Sequence, residues 1–314
     1  MRKILFILSS KAGKTEFDIK KHHIEKIYNK KDLEENVEII DTSYKDHGKI
    51  AAKNFIYKYK NLKKTIIVAG GDGSLNEIAN VIYENDVENT SLGLIPMGTG
   101  NDFSKNFSYK NFKVENLLNL KDRKIDLIKV NNKIGINVLS LGFDTLVLEK
   151  AYEFLNKNPN LGKKAYLLGV IKALKHLSYK DLYFKIYDKD NKAIEFEDKF
   201  LLSAICNGGY YGSGFNPAPS AKIDDGLLNL VYAKKLPNLL LPSLIIRYKF
   251  GLLEKSKYLD EIKIKKGQIR SSEKILANID GEIFESKEIN FQILENSLTW
   301  TYFDKTQKNV RLKI

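Results

Sequence analysis

The sequence predicts a two-domain protein, an open parallel α/β domain followed by an antiparallel β-rich domain that resembles a β-sandwich. In the first hundred residues, short apolar β-rich runs alternate with helical patterns, as they do in parallel α/β sheets. Beyond Lys121, apolar residues mostly recur at every second position, the pattern of half-buried strands. The length of 314 residues suits two domains of roughly 150 residues. We therefore expect a first domain over 1–122, joined by the C-terminal segment 303–314, and a second over 123–302.

The first domain has four apolar runs typical of buried strands. A helix is expected after Gly73, because the apolar positions that follow recur with helical spacing. The predicted strands are Ile4–Leu8, Val37–Ile40, Thr65–Ala69 and Ser91–Ile95, and the earlier helices lie near Asp18–Tyr28 and Lys49–Lys60.

The second domain begins with two helices and continues with strands. A hairpin is expected around the turn Asp188–Asn191, whose residue types favour turns. The predicted helices lie near Asp144–Asn156 and Lys163–Leu177, and the predicted strands are Leu182–Ile186, Ala193–Phe196, Leu201–Cys206, Leu227–Tyr232, Glu261–Lys265, Ile275–Ile279 and Ile289–Leu294, with a final strand at Val310–Ile314.

Composition excludes several classes of protein. Cys206 is the only cysteine, which excludes an internal disulfide and a cysteine-based zinc site and favours a reducing cytoplasm. The apolar segment Leu236–Ile246 contains two prolines and is about half the length of a bilayer span. The four histidines show no metal-ligand spacing. The net charge of +13 fits an anionic membrane or nucleic acid, and equally a lysine-rich solvated surface.

Two glycine-rich turns follow neighbouring predicted strands. The first is Gly70–Gly73 and the second is Pro96–Asp102. Three glycines in four residues permit positive φ angles and close approach of a ligand to the backbone, and a helix that follows presents free N–H groups to an anion. Because ligands of open parallel sheets lie beyond the carboxyl ends of the strands, two such turns favour a nucleotide site over plain strand-to-helix turns. Ala12–Thr15 resembles a P-loop, but Leu8 occupies the place of its first glycine.

Three segments together carry a family resemblance. GGDGSLNE at Gly70–Glu77, PMGTGNDF at Pro96–Phe103 and the segment Asn207–Leu228, which ends in DDGLL, are similar to the bacterial members of the diacylglycerol kinase catalytic-domain family, and IDGE at Ile279–Glu282 completes the pattern. These lipid kinases are also similar to sphingosine and ceramide kinases. NAD kinases share GGDG, whereas the second and third segments separate the two families.

The resemblance implies an ATP site in the first domain. The implied nucleotide-contacting residues are Ser9, Ser10, Lys11, Ala12, Gly13, Thr42, Gly70, Gly71, Asp72, Gly73, Ser74, Leu75, Asn76 and Thr99. The first loop departs from the family pattern, because Ser9 and Ser10 stand where relatives usually have Asn-Pro.

The resemblance also implies a metal site and a catalytic base in the second domain. Asp225 would bind Mg²⁺ through its side chain, with Lys222 and Leu227 contributing main-chain oxygens, the hard ligands that Mg²⁺ prefers. Asp280 and Glu282 are the candidate general bases for the lipid hydroxyl. Without the resemblance, Asp280–Glu282 would be interpreted as an ordinary β-turn.

The expected function is therefore transfer of the γ-phosphoryl group of ATP to a lipid hydroxyl, most plausibly diacylglycerol, with Mg²⁺ required and the active site in a cleft between the domains. Kinases of sphingoid bases or phosphatidylglycerol are alternatives, as is a soluble-acceptor kinase that resembles NAD kinase. A third alternative is a catalytically silent protein that binds nucleic acid or membranes. The preferred hypothesis places the enzyme in the cytoplasm, peripherally associated with a membrane, with no nucleic-acid partner and with homodimerisation open.

Overall fold

The chain forms two compact units. The computed structural model describes residues 2–9, 19–98, 100–107, 109, 112–253 and 256–303. The N-terminal unit comprises Met1–Gly98, Phe107–Ile125 and Leu298–Ile314, and the C-terminal unit comprises Thr99–Asn106 and Asp126–Ser297. The predicted final strand at Val310–Ile314 lies outside the described residues.

The N-terminal unit contains a parallel sheet flanked by helices. Its strands are β1 Lys3–Ser9, β2 Val37–Thr42, β3 Lys64–Gly70 and β4 Thr90–Pro96, and its helices are α1 Lys21–Ile27, α2 Lys30–Glu35, α3 His47–Lys58 and α4 Asp72–Asn85. The strand order is β2-β1-β3-β4, and Thr299 and Trp300 add a further parallel pairing to β4. All seven residues of β3 and of β4 are buried, as expected for parallel strands covered on both faces.

A buried lysine closes the end of this sheet opposite the glycine-rich turns. The Lys64 ammonium group donates to the carbonyls of Tyr59 at 3.0 Å and Leu62 at 2.8 Å and to Asp86 Oδ2 at 2.7 Å. Burial of the Asp86 carboxylate would raise its pKa, but the hydrogen bond from Lys64 contributes to a net lowering. The cation is thus fully satisfied inside the fold, which is the condition for burying a charge.

The C-terminal unit is an antiparallel β structure with three helices. Strands β5 and β12 each run from one unit into the other. The strands are β5 Leu120–Val130, β6 Lys133–Gly135, β7 Val138–Gly142, β8 Lys180–Asp188, β9 Ala193–Cys206, β10 Leu228–Lys234, β11 Leu259–Ile279 and β12 Glu282–Phe303, and the helices are α5 Phe143–Lys157, α6 Lys163–Leu174 and α7 Leu241–Phe250.

Two long strands organise this unit. Strands β9 and β11 each pair in antiparallel fashion with β7, β8 and β10. The pairings surround a hydrophobic core in which Phe184, Ile205, Ile269 and Ile279 are at most 1% exposed. The predicted fold class, a parallel α/β unit followed by an antiparallel sandwich-like unit, is therefore confirmed.

Strand lengths in the C-terminal unit exceed the predictions. The separately predicted strands Glu261–Lys265 and Ile275–Ile279 belong to the single strand β11, and Ala193–Phe196 and Leu201–Cys206 both belong to β9. The register of β11 against β12 shifts between Arg270 and Ile275. Such an irregularity breaks the period-two pattern, so the sequence pattern predicted two strands in a region where the structure has one.

The prolines of the segment Leu236–Ile246 do not prevent a helix. Pro242 lies in the first turn of α7, where its missing N–H costs no helical hydrogen bond. In the part of the chain that the structure describes, no helix is long and apolar enough to cross a membrane.

Candidate active site

The carboxyl ends of the parallel strands bring the described nucleotide candidates to one edge of the N-terminal sheet. Ser9 at the end of β1 lies opposite Thr42 at the end of β2, and Gly70 at the end of β3 lies opposite Pro96. The Thr42 hydroxyl donates to the Leu8 carbonyl at 3.3 Å. This edge is where ligands of open parallel sheets bind.

The first glycine-rich turn packs directly on the second. The Gly70 carbonyl accepts the N–H groups of Met97 at 2.8 Å and Gly98 at 3.1 Å. A Cβ atom on Gly71 would lie 3.2 Å from the Gly98 Cα atom, whereas one on Gly73 would meet no atom within 4 Å. Gly71 is therefore required for packing of the turns, and the space beside Gly73 is open.

The first glycine-rich turn does not use the positive φ angles that its glycines permit. Gly71 has φ −104°, and none of the three glycines is in the left-handed region. The chain passes directly from β3 into α4, so the backbone never needs the left-handed conformation. Close approach to Gly98 is the physical reason for the glycine at position 71, whereas no protein atom requires a glycine at position 73.

Helix α4 begins at this edge. Its N-cap residue is Gly71, whose carbonyl accepts the Leu75 N–H at 3.0 Å. Leu75 and Asn76 are buried, at 0% and 3% exposure, so their side chains belong to the helix packing. The first N–H groups of a helix have no intrahelical acceptor and carry the positive end of its dipole. An anion can bind at Gly73 and Ser74 without displacing a side-chain cap.

Five of the candidate nucleotide residues cannot be placed. Ser10, Lys11, Ala12, Gly13 and Thr99 lie outside the described residues.

Asp280 forms the turn between β11 and β12. Asp280 and Gly281 have φ angles of 47° and 97°, as in a two-residue hairpin turn of the primed type. The Asp280 carboxylate accepts three consecutive backbone N–H groups: Ile136 at 2.6 Å, Asn137 at 3.2 Å and Val138 at 2.8 Å. Both oxygens are thereby engaged, and the carboxylate anchors the hairpin to the start of β7.

Glu282 lies at the beginning of β12 and is much more accessible. Its side chain is 54% exposed and its Oε2 atom lies 3.0 Å from the Lys133 ammonium nitrogen. Burial, together with the negative charge of Glu282, raises the pKa of the neighbouring Tyr152 hydroxyl. That hydroxyl donates to the Gly281 carbonyl at 3.1 Å. An exposed ion pair of this kind contributes at most about 1 kcal/mol, so Glu282 can exchange its partner readily.

Asp225 lies in an acidic loop. Its Oδ1 atom accepts the Leu227 N–H at 3.2 Å and its Oδ2 atom lies 3.4 Å from the Lys263 ammonium nitrogen. The next residue, Gly226, has φ 69° and donates its N–H to Asp126 at 2.8 Å. Burial raises the pKa of Asp126, and the charges of Asp225 and Glu295 raise it further. Burial is the larger cause, and the carboxylates of Asp225 and Glu295 lie close enough for their charges to add to it.

The oxygen donors of this loop fit a hard divalent cation. Among the described residues, no group of three or more His, Cys, Asp or Glu side chains is arranged to hold a metal ion. A site made from the Asp225 carboxylate and the main-chain oxygens of Lys222 and Leu227 uses one side chain only. A divalent cation there would offset the negative charge that surrounds Asp126, which is the chemistry that Mg²⁺ supplies with oxygen ligands.

An apolar cavity that is partly open to solvent lies in the C-terminal unit. Helices α5, α6 and α7 and strand β9 contribute to its lining, which includes Phe143, Tyr166, Leu201, Phe215, Leu244 and Tyr248. Its walls are mostly apolar with a few polar groups, as the walls of small-molecule sites are.

Buried polar groups line one side of this cavity. The Tyr211 hydroxyl donates to Asp144 Oδ2 at 2.6 Å and forms a short hydrogen bond with the Tyr248 hydroxyl. Burial raises the pKa of Asp144 to about 7, even though hydrogen bonds from Tyr211 and the Thr145 N–H oppose the shift. The cavity therefore offers apolar walls together with the carboxyl group of Asp144 and the hydroxyl groups of Tyr166, Tyr211 and Tyr248.

Sequence reasoning missed several of these residues. The sequence pattern could have marked Asp126 and Asp144 as candidates, since each is an acidic residue in an otherwise apolar run. Lys263 and Glu295 gave no such signal, because they lie on exposed strand positions whose neighbours are known only from the pairing of β10, β11 and β12.

Two family models together match nearly the whole chain. Residues 3–130 match the diacylglycerol kinase catalytic domain, and residues 137–300 match the domain described as YegS C-terminal NAD kinase beta sandwich-like. A protein of Bacillus anthracis str. Sterne described as a diacylglycerol kinase has the same fold, with a TM-score of 0.68, 20% identity and coverage of 95% of this chain and 96% of that one.

Proteins similar in sequence are named as lipid kinases. A "Probable lipid kinase YegS-like" of Alcanivorax borkumensis is 35% identical over 169 residues, which is 53% of this chain and 54% of the relative. A protein of the same name from Yersinia enterocolitica is 30% identical over 75% of this chain and 77% of its own length. The fold and the matched domains define a lipid kinase. The chain belongs to the YegS and diacylglycerol kinase-like family, and the resemblance stated from the motifs is confirmed.

Proposed function

We propose that this lipid kinase transfers the γ-phosphoryl group of ATP to the hydroxyl group of diacylglycerol and produces phosphatidic acid. The observation that carries the lipid acceptor is the apolar cavity of the C-terminal unit, in which Asp144 is the one acidic or basic residue among the described lining residues. An apolar cavity of this kind favours an acyl chain over a soluble, charged acceptor such as NAD, because a charged group would lose its hydration there.

ATP would bind at the carboxyl edge of the N-terminal sheet. The helix N-terminus at Gly73 and Ser74 would accept phosphate oxygens, and the open space beside Gly73 would admit them to the backbone. Mg²⁺ would be held by Asp225 with the main-chain oxygens of Lys222 and Leu227, and it would offset negative charge in that loop. Phosphoryl transfer needs mainly positioning and electrostatic stabilisation, which these groups would supply.

We propose Glu282 as the general base and Asp280 as its structural support. Glu282 would accept the proton of the lipid hydroxyl while that oxygen forms a bond to the γ-phosphorus. The bond between the γ-phosphorus and the bridging oxygen breaks, and ADP leaves. Asp280 is less suited to this role, because its two oxygens already accept three backbone N–H groups. Among the described residues, the Glu282 carboxylate is paired with Lys133, whose side chain is 45% exposed.

Transfer of labelled γ-phosphate from ATP with Mg²⁺ tests the proposal. The acceptors are diacylglycerol, monoacylglycerol, a sphingoid base, phosphatidylglycerol and undecaprenol in mixed micelles, with NAD in parallel. We expect label in phosphatidic acid. Label in another lipid would correct the acceptor but keep the lipid kinase, and label in NADP alone would overturn the lipid acceptor.

A further inference from the structure

The apolar cavity of the C-terminal unit contains a row of three hydrogen-bonded polar groups. The Tyr211 hydroxyl lies between Asp144 Oδ2, at 2.6 Å, and the Tyr248 hydroxyl. All three residues line the cavity and are buried, with Tyr211 7%, Asp144 6% and Tyr248 4% exposed. The rings of Tyr211 and Tyr248 pack edge to face, with 87° between their planes. The row therefore has a defined geometry and two ends, the Asp144 carboxyl group and the Tyr248 hydroxyl.

The carboxyl end of the row is hydrogen-bonded by the chain but not paired with a cation. Asp144 Oδ1 accepts the Thr145 N–H at 2.8 Å, and Oδ2 accepts the Tyr211 hydroxyl. Among the described residues, no basic side chain contributes to stabilising the charge of Asp144. An ionised carboxylate without a cation is costly in an apolar environment, and burial raises the pKa of Asp144 to about 7. A large fraction of these carboxyl groups is therefore protonated at neutral pH.

The titratable groups around Asp144 are neutral as well. They are the hydroxyls of Tyr166 on α6, Tyr248 on α7 and Tyr211 in the loop after β9, and the thiol of Cys206 at the end of β9. Burial raises the pKa of each of these groups, and the negative charge of Asp144 raises it further. None of them supplies a positive charge that would hold Asp144 in its ionised form.

The proton on Asp144 sets the direction of the hydrogen bonds along the row. Each tyrosine hydroxyl has one proton and can donate once. When Asp144 is ionised, Tyr211 donates to it and Tyr248 donates to Tyr211, so the Tyr248 oxygen can only accept from a ligand. When Asp144 is protonated, it can donate to Tyr211 and Tyr211 can donate to Tyr248, which leaves the Tyr248 proton for a ligand. The neutral row thus presents a hydrogen-bond donor to the cavity.

We infer that the Tyr248 hydroxyl, supported by Tyr211 and Asp144, donates a hydrogen bond to an ester carbonyl of the lipid whose acyl chain occupies the cavity. An ester carbonyl accepts hydrogen bonds and cannot donate them, and it is the polar group directly attached to the acyl chain of a glycerolipid. An ether-linked chain has no carbonyl, so it would leave the buried donor without a partner, which is costly. The inference rests on the proposed diacylglycerol acceptor and adds Tyr248 as a residue that determines specificity for it.

The test compares dioctanoylglycerol with the diether of the same chain length, in which methylene groups replace the carbonyls. Both lipids are assayed as acceptors with ATP and Mg²⁺, and their binding is measured by calorimetry without ATP. The variant is Tyr248→Phe. Tyr179→Phe is the matched control, because the Tyr179 hydroxyl donates to the Leu236 carbonyl at 3.0 Å in the same hydrophobic cluster and Tyr179 is not one of the described lining residues.

We expect the wild type and Tyr179→Phe to prefer the ester about tenfold, both in kcat/KM and in affinity. In Tyr248→Phe the preference should fall below about twofold, through weaker binding of the ester and unchanged binding of the ether. Equal treatment of the two lipids by the wild type would overturn the inference, as would binding of neither lipid. An equal loss on both lipids in Tyr248→Phe would also overturn it, because a purely structural hydroxyl does not distinguish an ester from an ether.

The two proposals fail separately in this experiment. Wild-type protein that binds the ester in preference to the ether but does not phosphorylate it would contradict diacylglycerol as the acceptor and keep the carbonyl contact. Wild-type protein that phosphorylates both lipids at equal rates would keep the acceptor and contradict the role of Tyr248. Thermal unfolding verifies that both variants fold, and the comparison of the two lipids in the wild type needs no variant.

Discussion

Both units have backbone N–H groups that can receive an anion, and they differ in whether the chain itself supplies that anion. In the C-terminal unit, the N–H groups of Ile136, Asn137 and Val138 converge on the carboxylate of Asp280. In the N-terminal unit, α4 begins at Gly71, which has no side chain to accept the N–H groups that follow. The comparison teaches that backbone N–H groups have a structural role where a carboxylate of the chain accepts them. Where the N-cap residue has no side chain to accept them, the N–H groups are available to a ligand.

The largest expected effect comes from removing the internal anion. Asp280→Ala would leave N–H groups of three buried residues without their acceptor, and each unsatisfied buried group costs about 1–3 kcal/mol. We expect the free energy of unfolding in urea to fall by about 3 kcal/mol or more. A loss below about 1 kcal/mol would contradict an anchoring role for Asp280.

The neighbouring carboxylate is expected to behave in the opposite way. Glu282→Gln should leave the free energy of unfolding unchanged within about 0.5 kcal/mol, because it removes only an exposed ion pair. Turnover should fall about 100-fold or more, the scale of a lost general base. Full activity in Glu282→Gln would mean that another group accepts the proton, and the ATP affinity of the same variant would show whether the nucleotide still binds.

The N-terminal turn offers a matched pair of substitutions. Gly73→Ala adds a methyl group where no protein atom lies within 4 Å, whereas Gly71→Ala places one 3.2 Å from the Gly98 Cα atom. We expect Gly73→Ala to preserve or slightly raise stability, because alanine is about 0.8–1.0 kcal/mol better than glycine in a helix interior, and to lower ATP affinity about tenfold, because the methyl group would displace phosphate.

Gly71→Ala should instead lower stability, since two backbone segments would have to move apart. Calorimetry of ATP binding and thermal unfolding distinguish the two variants. If Gly73→Ala binds ATP as tightly as the wild type, the open space beside Gly73 is not the phosphate site.

The sequence predicted these two regions unequally. The strand-turn-helix at Gly70 was predictable because hydrophobic periodicity, glycine and the following helix all lie within about twenty consecutive residues. The sequence left open whether these glycines serve close approach or positive φ angles, because glycine permits both and the composition cannot tell which one a turn uses.

The C-terminal unit depends on contacts between distant residues. Asp280 meets Ile136–Val138 across more than 140 positions, and no local pattern records that distance. The sequence therefore presented Asp280 and Glu282 as equivalent carboxylates, although one is engaged by the backbone and the other is exposed.

A third carboxylate, that of Asp144, sharpens the comparison. It is buried but accepts fewer backbone N–H groups than that of Asp280. It accepts the backbone N–H of Thr145 and the hydroxyl of Tyr211, and burial raises its pKa from 3.8 to about 7. Since the folded protein binds this proton more tightly than the unfolded chain, stability is greatest below about pH 4 with respect to this group and falls as pH rises towards 7.

Asp144→Asn removes the ionisation while keeping the shape and an acceptor for Tyr211. We expect the difference in melting temperature between the variant and the wild type to increase, in favour of the variant, by about 3 °C or more when the buffer changes from mildly acidic to mildly alkaline. Asp190→Asn, in the exposed turn between β8 and β9, is the matched control. A constant difference at both pH values would mean that Asp144 is ionised in the fold throughout. The Tyr211 and Tyr248 hydroxyls would then stabilise a charge inside the cavity, and a cationic acceptor such as a sphingoid base would become the better candidate for the lipid.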